Sequence, residues 1–191
     1  MTEYNTKYAF PVDIGDYSIF KTVYEQLIPK QQFPVYRHKV GPELIEFKNK
    51  FEWLGDYVDY FLLYPGTAIG IHVDGYDGDP FRAVVLNIPV QNAESTTTSW
   101  HTMPAETEWK NPWLDGSGAY KGGNAIFVKS APSNIIEYSL KTTEPIILNT
   151  HIPHSVKNRG PGIRIMASWH TKFDTYEQAR TYFNIPISDG N

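Results

Sequence analysis

The sequence predicts a mainly β domain of the double-stranded β-helix, or jelly-roll, class, with N-terminal helices and a short C-terminal helix. Two observations predict it. From about residue 57 the chain consists of short β-rich runs separated by Gly and Pro, and before that point apolar residues recur at helical spacing. Many short strands with turn signals are typical of a sandwich or barrel. We expect one domain, 1–191, with a helical buttress (1–56), a jelly-roll core (57–173) and a C-terminal helix and tail (174–191).

Three helices are predicted. The first spans roughly 17–27, where apolar residues have helical spacing, and ends before Pro29. The second begins near Pro42, a favoured first-turn residue, and continues to Gly55. The last is predicted to start at 174–177, where the sequence Asp-Thr-Tyr-Glu resembles a capping box.

Seven later segments have the composition of strands and are bounded by turn residues. They are YVDYFLLY (57–64), TAIGIHVD (67–74), RAVVLNIPV (82–90), NAIFVK (124–129), NIIEYS (134–139), PIILNT (145–150) and GIRIMASWH (162–170). The stretch 91–123 fits neither a strand nor a core helix, and it contains three of the five tryptophans. Structureless segments of this length are usually functional or disordered. We interpret it as a lid over a substrate, with a poorly ordered insert as the alternative.

Composition excludes several classes of function. The chain has 191 residues, 41% of them hydrophobic and 20% charged, which is ordinary for a globular domain. It has no cysteine, so disulfides, zinc-thiolate sites and iron–sulfur clusters are excluded. A net charge of −4 without a Lys/Arg cluster argues against nucleic-acid binding, and no apolar run approaches the ~20 residues that span a bilayer. No secretory signal is visible in MTEYNTKYAF, so we expect a cytoplasmic protein. The sequence does not determine its oligomeric state.

The most informative motif is His72-Val73-Asp74, followed much later by His154 and, ten positions on (164 − 154), by Arg164. On a strand, His72 and Asp74 would point to the same face with Cα atoms roughly 6–7 Å apart, close enough to reach one metal. Two histidines and one carboxylate form the facial triad of non-haem Fe(II) oxygenases, which leaves three of six coordination positions open.

The third metal ligand is either His154 or His151, because residues three apart on a strand face opposite ways. Arg164 lies on a predicted strand whose opposite face is apolar, so it faces solvent or a polar cavity. A buried arginine needs a partner, and a carboxylate fits its planar fork best. Asn87 is unusual within an apolar strand; a buried amide also needs partners, so it either closes the bottom of a pocket or satisfies nearby backbone.

From about Tyr57 to Trp169 the sequence resembles the 2-oxoglutarate- and Fe(II)-dependent dioxygenase superfamily. The segment 64–74 (YPGTAIGIHVD) resembles the prolyl-hydroxylase-like pattern, in which a tyrosine precedes the first metal histidine by eight residues (72 − 64). The segment 82–90 resembles the strand after the metal turn, and 149–164 resembles the closing half of that fold. Many relatives have Arg-x-Ser at the basic residue, whereas this chain has Arg164-Ile165-Met166.

The resemblance implies a cupin-like jelly roll in which His72, Asp74 and His154 bind Fe(II), and Arg164 with Tyr64 holds the distal carboxylate of 2-oxoglutarate. It implies hydroxylation of a small molecule or an amino-acid side chain by dioxygen, while 2-oxoglutarate is decarboxylated to succinate. Two other classes stay open. One is a non-redox jelly-roll module with a structural metal, and the other is a metal-dependent hydrolase or isomerase that activates water.

Overall fold

The computed structural model describes residues 4–27, 35–74, 84–110 and 125–186. Within these ranges, twelve strands form two six-stranded antiparallel sheets accompanied by three short helices. The strands are β1 (Ala9–Pro11), β2 (Val35–Lys39), β3 (Leu54–Leu63), β4 (Ala68–Asp74), β5 (Val84–Gln91), β6 (Thr96–Thr102), β7 (Glu108–Lys110), β8 (Ala125–Ser130), β9 (Ile135–Leu140), β10 (Ile146–Asn149), β11 (His154–Asn158) and β12 (Arg164–Thr171). The helices are α1 (Ile19–Leu27), α2 (Pro42–Lys48) and α3 (Tyr176–Tyr182).

The chain alternates between the two sheets, which makes the fold a double-stranded β-helix. The major sheet has the order β1-β10-β5-β12-β3-β2, and the minor sheet has the order β7-β8-β4-β11-β6-β9. From β3 to β6 and again from β9 to β12, each strand lies in the other sheet from the strand before it. The predicted jelly-roll fold is therefore confirmed. No helix in the described ranges is long and apolar enough to cross a membrane.

The helices cover the outer face of the major sheet. Phe20 of α1 and Phe47 of α2 both pack on Trp169 of β12, with ring centroids 5.5 and 5.7 Å apart. Ile165 and Ala167 belong to the same buried apolar cluster. Since side chains alternate along a strand, the intervening residues of β12 point the other way, towards the minor sheet. The two faces of β12 thus differ as the sequence predicts.

All seven predicted strands are present, together with five strands that were not among them: β1, β2, β6, β7 and β11. β1 and β2 lie in the region expected to be purely helical, and β6 and β7 lie in the segment 91–123. β6 lies between β11 and β9 in the minor sheet, and Thr96, Thr98 and Trp100 on it are buried. The expectation that 91–123 contains no strand is wrong for 96–102, because the three consecutive threonines there are β-branched and burial alternates along the segment. The part 111–123 lies outside the described residues.

One of the additional strands and two helix boundaries bear on the prediction in more detail. β11 was not expected as a strand, although it carries His154. α2 ends at Lys48 rather than near Gly55. α3 has a capping box one residue later than predicted, with Thr175 as N-cap and Gln178 as its reciprocal partner, because the threonine hydroxyl accepts from the backbone N–H of Gln178.

Candidate metal centre

One end of the minor sheet brings together His72, Asp74 and His154. His72 and Asp74 lie at the end of β4, and His154 begins the neighbouring strand β11, where it is the register partner of His72. All three are buried, with 7%, 8% and 5% of their surface exposed. Strand alternation turns His72 and Asp74 to one face and leaves Val73 on the other. The fold therefore places His154 in one cluster with the His72–Asp74 motif, although it follows Asp74 by 80 positions (154 − 74).

The distances within this cluster suit a metal ion. Each residue offers one ligand atom, and these atoms all lie within 4.8 Å of one another. The Nε2 atom of His72 is 3.8 Å from a carboxylate oxygen of Asp74, and the imidazole centroids of His72 and His154 are 4.2 Å apart. Nitrogen and oxygen ligands bind a divalent metal at about 2.0–2.2 Å, so three atoms with this spacing can surround one ion.

Backbone carbonyls fix the orientation of both imidazoles. The Nδ1 atom of His72 is 2.8 Å from the carbonyl oxygen of Gly70, and that of His154 is 3.0 Å from the carbonyl oxygen of Ile152. A carbonyl oxygen can only accept, so each Nδ1 carries the hydrogen. In the neutral ring the lone pair then lies on Nε2. Metal-binding histidines commonly donate their second N–H in this way.

Burial, followed by the nearby His72, lowers the pKa of His154 to about 3. At neutral pH the His154 ring is therefore uncharged, which is the form that binds a metal. The ring of Phe127 on β8 stacks on His72 with centroids 5.1 Å apart, and it limits the space beside that ligand. Two imidazoles and one carboxylate fit a divalent transition metal.

Arg164 begins β12 and is only 2% exposed. Its Nε atom is buried and has no hydrogen-bond partner among the described residues. Burial lowers the pKa of Arg164 to about 10, so the guanidinium is still charged at neutral pH. A buried cation without a counter-charge is costly, and a carboxylate would offset that cost. Arg164 therefore does not face solvent, which was one of the two alternatives expected for it.

Asn87 lies on the same inner face of the major sheet. It is the register partner of Ser168 on β12, and its side-chain oxygen is buried without a hydrogen-bond partner among the described residues. Met166, which stands where many relatives have serine, is 1% exposed and lies between Phe61 and Pro89 in the register of the sheet. This inner face therefore offers a charged donor and an amide oxygen, but no hydroxyl at position 166.

The structure does not bring Tyr64 to this group. Tyr64 follows β3 in a turn, is 40% exposed, and is close enough to Tyr24 on α1 to raise the pKa of that phenol further than burial alone does. It therefore lies towards the helical side of the major sheet, away from the position that its predicted role in holding 2-oxoglutarate requires. His151, the rival third ligand, is exposed and is not part of the cluster.

Two further histidine contacts were not predicted. The Nε2 atom of His101 on β6 is 2.8 Å from the hydroxyl oxygen of Ser155, which lies on the strand that carries His154. His170 lies 3.0 Å from Asp59, and Asp59 also accepts two hydrogen bonds from Arg37. The alternation of β12 places His170 on the inner face, but its carboxylate partner comes from β3, and only the sheet register reveals that pairing.

Neither a family profile nor a curated protein matches this sequence. Solved structures with a similar fold include HygX from Streptomyces hygroscopicus with nickel and 2-oxoglutarate bound, at 10% identity, 85% coverage of this chain, 81% of that one and a TM-score of 0.46. A Pseudomonas putida prolyl-4-hydroxylase is 13% identical, with 86% coverage of this chain, 92% of that one and a TM-score of 0.40. Vicilin from hazelnut (Corylus avellana) is 11% identical, with 87% coverage of this chain and a TM-score of 0.36. The match covers 42% of the vicilin chain, so this chain spans less than half of that protein. Likeness this distant assigns no activity.

Proposed function

We propose that this protein is a 2-oxoglutarate- and Fe(II)-dependent oxygenase that hydroxylates a small molecule or an amino-acid side chain and converts 2-oxoglutarate to succinate. The observation that carries the proposal is the buried cluster of His72, Asp74 and His154, whose two imidazoles present Nε2 to one point. Three protein ligands on one side leave positions for a chelating cosubstrate and for dioxygen. Bound Fe(II) would supply the activation of dioxygen.

The residues of the chain divide the remaining tasks. His72, Asp74 and His154 would hold the metal, and the carbonyl oxygens of Gly70 and Ile152 keep the two rings oriented. Arg164 would bind the distal carboxylate of 2-oxoglutarate, because its planar fork matches that group and its buried Nε has no hydrogen-bond partner among the described residues. Burial of all four side chains limits the access of water to the reaction.

The test is metal-dependent binding and turnover of 2-oxoglutarate. Protein loaded with Fe(II) should convert 2-oxoglutarate to succinate with uptake of oxygen, and 2-oxoglutarate should bind more tightly with metal than without it. Asp74→Ala should lose both properties, whereas His151→Ala, a matched change outside the cluster, should keep them. Two results would contradict the proposal. One is succinate formation in Asp74→Ala at the wild-type rate, and the other is an affinity for 2-oxoglutarate that is the same with and without metal.

A further inference from the structure

Several buried polar atoms have no hydrogen-bond partner among the described residues, and two of them lie at the same end of the β-sandwich. Such atoms are uncommon in folded proteins, because burying an unpaired polar group costs free energy. The residues concerned are Asn87, Thr96, Thr142, Asn149, Arg164 and Arg180. Thr96 and Arg164 begin β6 and β12, strands of opposite sheets, and each presents an unpaired group that can donate a hydrogen bond.

A chain of contacts links Thr96 to Arg164. Thr96 is the register partner of Asn158 on β11. The side-chain amide of Asn158 donates to the carbonyl oxygen of Leu63, at 2.8 Å, and Leu63 is the register partner of Arg164. From the other side, the amide of Asn92 donates to the carbonyl oxygen of Ile163, at 2.9 Å. The start of β6 is therefore tied to the start of β12 on two sides.

The side chain of Thr96 points into the sandwich. Thr96, Thr98 and Trp100 are 3%, 1% and 0% exposed, whereas the residues between them are partly exposed. Trp100 belongs to the buried cluster with Val85 and Leu148 of the major sheet, so this face of β6 is the inner one. The hydroxyl of Thr96 thus lies on the interior side of β6, the side of the sandwich to which Arg164 also turns.

The residue that relatives use beside the arginine is missing here. Met166, two residues after Arg164, has a thioether that cannot donate a hydrogen bond. A carboxylate has two oxygens with about four acceptor sites, so an arginine fork leaves room for a hydroxyl donor. Thr96 offers a buried hydroxyl that no described group satisfies.

We propose that the Thr96 hydroxyl, supplied by the minor sheet, donates to the same distal carboxylate that Arg164 binds. Thr96 is then a determinant of cosubstrate specificity, selecting a dicarboxylic 2-oxo acid over a monocarboxylic one. This inference rests on the proposed function, since it names a second contact to its cosubstrate. It assigns to β6 a role that the serine after the arginine has in relatives.

The experiment is calorimetric titration of anaerobic Fe(II)-loaded protein with 2-oxoglutarate. Thr96→Val removes the hydroxyl at nearly constant volume and should weaken binding about tenfold or more, because hydrogen bonds to charged groups are among the stronger ones. Thr96→Ser should restore most of the affinity. Thr171→Val is the matched control, since its buried hydroxyl already donates to the carbonyl oxygen of Val84, at 2.7 Å, and its affinity should equal that of the wild type.

A second ligand separates a direct contact from a structural effect. 2-Oxobutanoate lacks the distal carboxylate, so the wild type and Thr96→Val should bind it equally. Equal affinity of both proteins for 2-oxoglutarate would overturn the inference and leave the proposed function standing, as would an equal loss for both ligands. If the wild type fails to bind 2-oxoglutarate while it holds metal, the proposed function fails with it.

Discussion

The imidazole rings of His72 and His154 face each other across two hydrogen-bonded strands, with centroids 4.2 Å apart, although 82 positions separate the residues in the chain (154 − 72). Two positive charges at this distance in a buried site would repel strongly. Burial and the neighbouring ring accordingly lower the pKa of His154. The His154 ring is therefore neutral, with its lone pair on Nε2, as metal ligation requires.

The first prediction concerns affinity for the cosubstrate. Arg164→Ala should weaken 2-oxoglutarate binding by at least tenfold, because losing one partner of a desolvated charge pair typically costs ~2–5 kcal/mol. Titration of the metal-loaded variant measures this, and its iron content should equal that of the wild type because Arg164 is not in the metal cluster. Unchanged affinity would place the carboxylate at another residue.

The second prediction concerns stability in the absence of ligand. Arg164→Met replaces a buried cation that has no described counter-charge with an apolar side chain, and it should raise the free energy of unfolding by about 1–4 kcal/mol. Urea denaturation of the metal-free proteins measures the difference. A variant that is less stable than the wild type would mean that Arg164 is already paired in the ligand-free protein.

The third prediction concerns Asn158, which joins the two sheets beside Arg164. Its amide donates to the carbonyl oxygens of Leu63 and Gly162, both at 2.8 Å, and its side-chain oxygen accepts from the N–H of Gly160 at 2.9 Å. Asn158→Ala removes these three hydrogen bonds from a fully buried residue and should lower the free energy of unfolding by about 2–4 kcal/mol.

Asn134→Ala is the control for Asn158→Ala. Asn134 is exposed and its contact with His101 is 3.3 Å long, so this change should stay within about 0.5 kcal/mol of the wild type. Urea denaturation measures the free energy of unfolding of both variants. A similar decrease in the two would contradict the stabilising role of the Asn158 hydrogen bonds.

The fourth prediction concerns pH. Burial lowers the pKa of His101 below its usual 6.5, so the folded state keeps this ring neutral while the unfolded state takes up a proton near pH 6.5. Stability from this group is present above pH 6.5 and is lost as the pH falls below it. His101→Gln removes this proton uptake, so its free energy of unfolding should fall less steeply than that of the wild type between pH 7.5 and 5. Parallel curves would contradict this.

The strands that the sequence predicts are those with continuous apolar or β-branched runs, such as 82–90 and 162–170. β6 was missed because its Thr and Ser residues are polar, although the threonines are β-branched and alternate between buried and partly exposed positions. β11 was missed because it is five residues long and contains His154 and Lys157. Polarity alone therefore hides strands that line a polar interior.

The candidate site was predictable where a local rule applies. Alternation on a strand unites His72 with Asp74, and the resemblance selects His154. Local rules do not predict the position of Tyr64, which the turn after β3 directs to the surface. They also do not predict that of Thr96, which depends on the pairing of β6 with the distant strand β11. Contacts that cross from one sheet to the other are not encoded in the spacing of residues along either strand.

The most direct test of the central claim is the iron content of four variants after anaerobic loading with Fe(II) and removal of unbound metal. The wild type and His151→Ala should each retain one iron per chain, because His151 lies outside the cluster. His72→Ala, Asp74→Ala and His154→Ala should retain close to none. One iron per chain in all three cluster variants would contradict the assignment of these residues as the metal ligands.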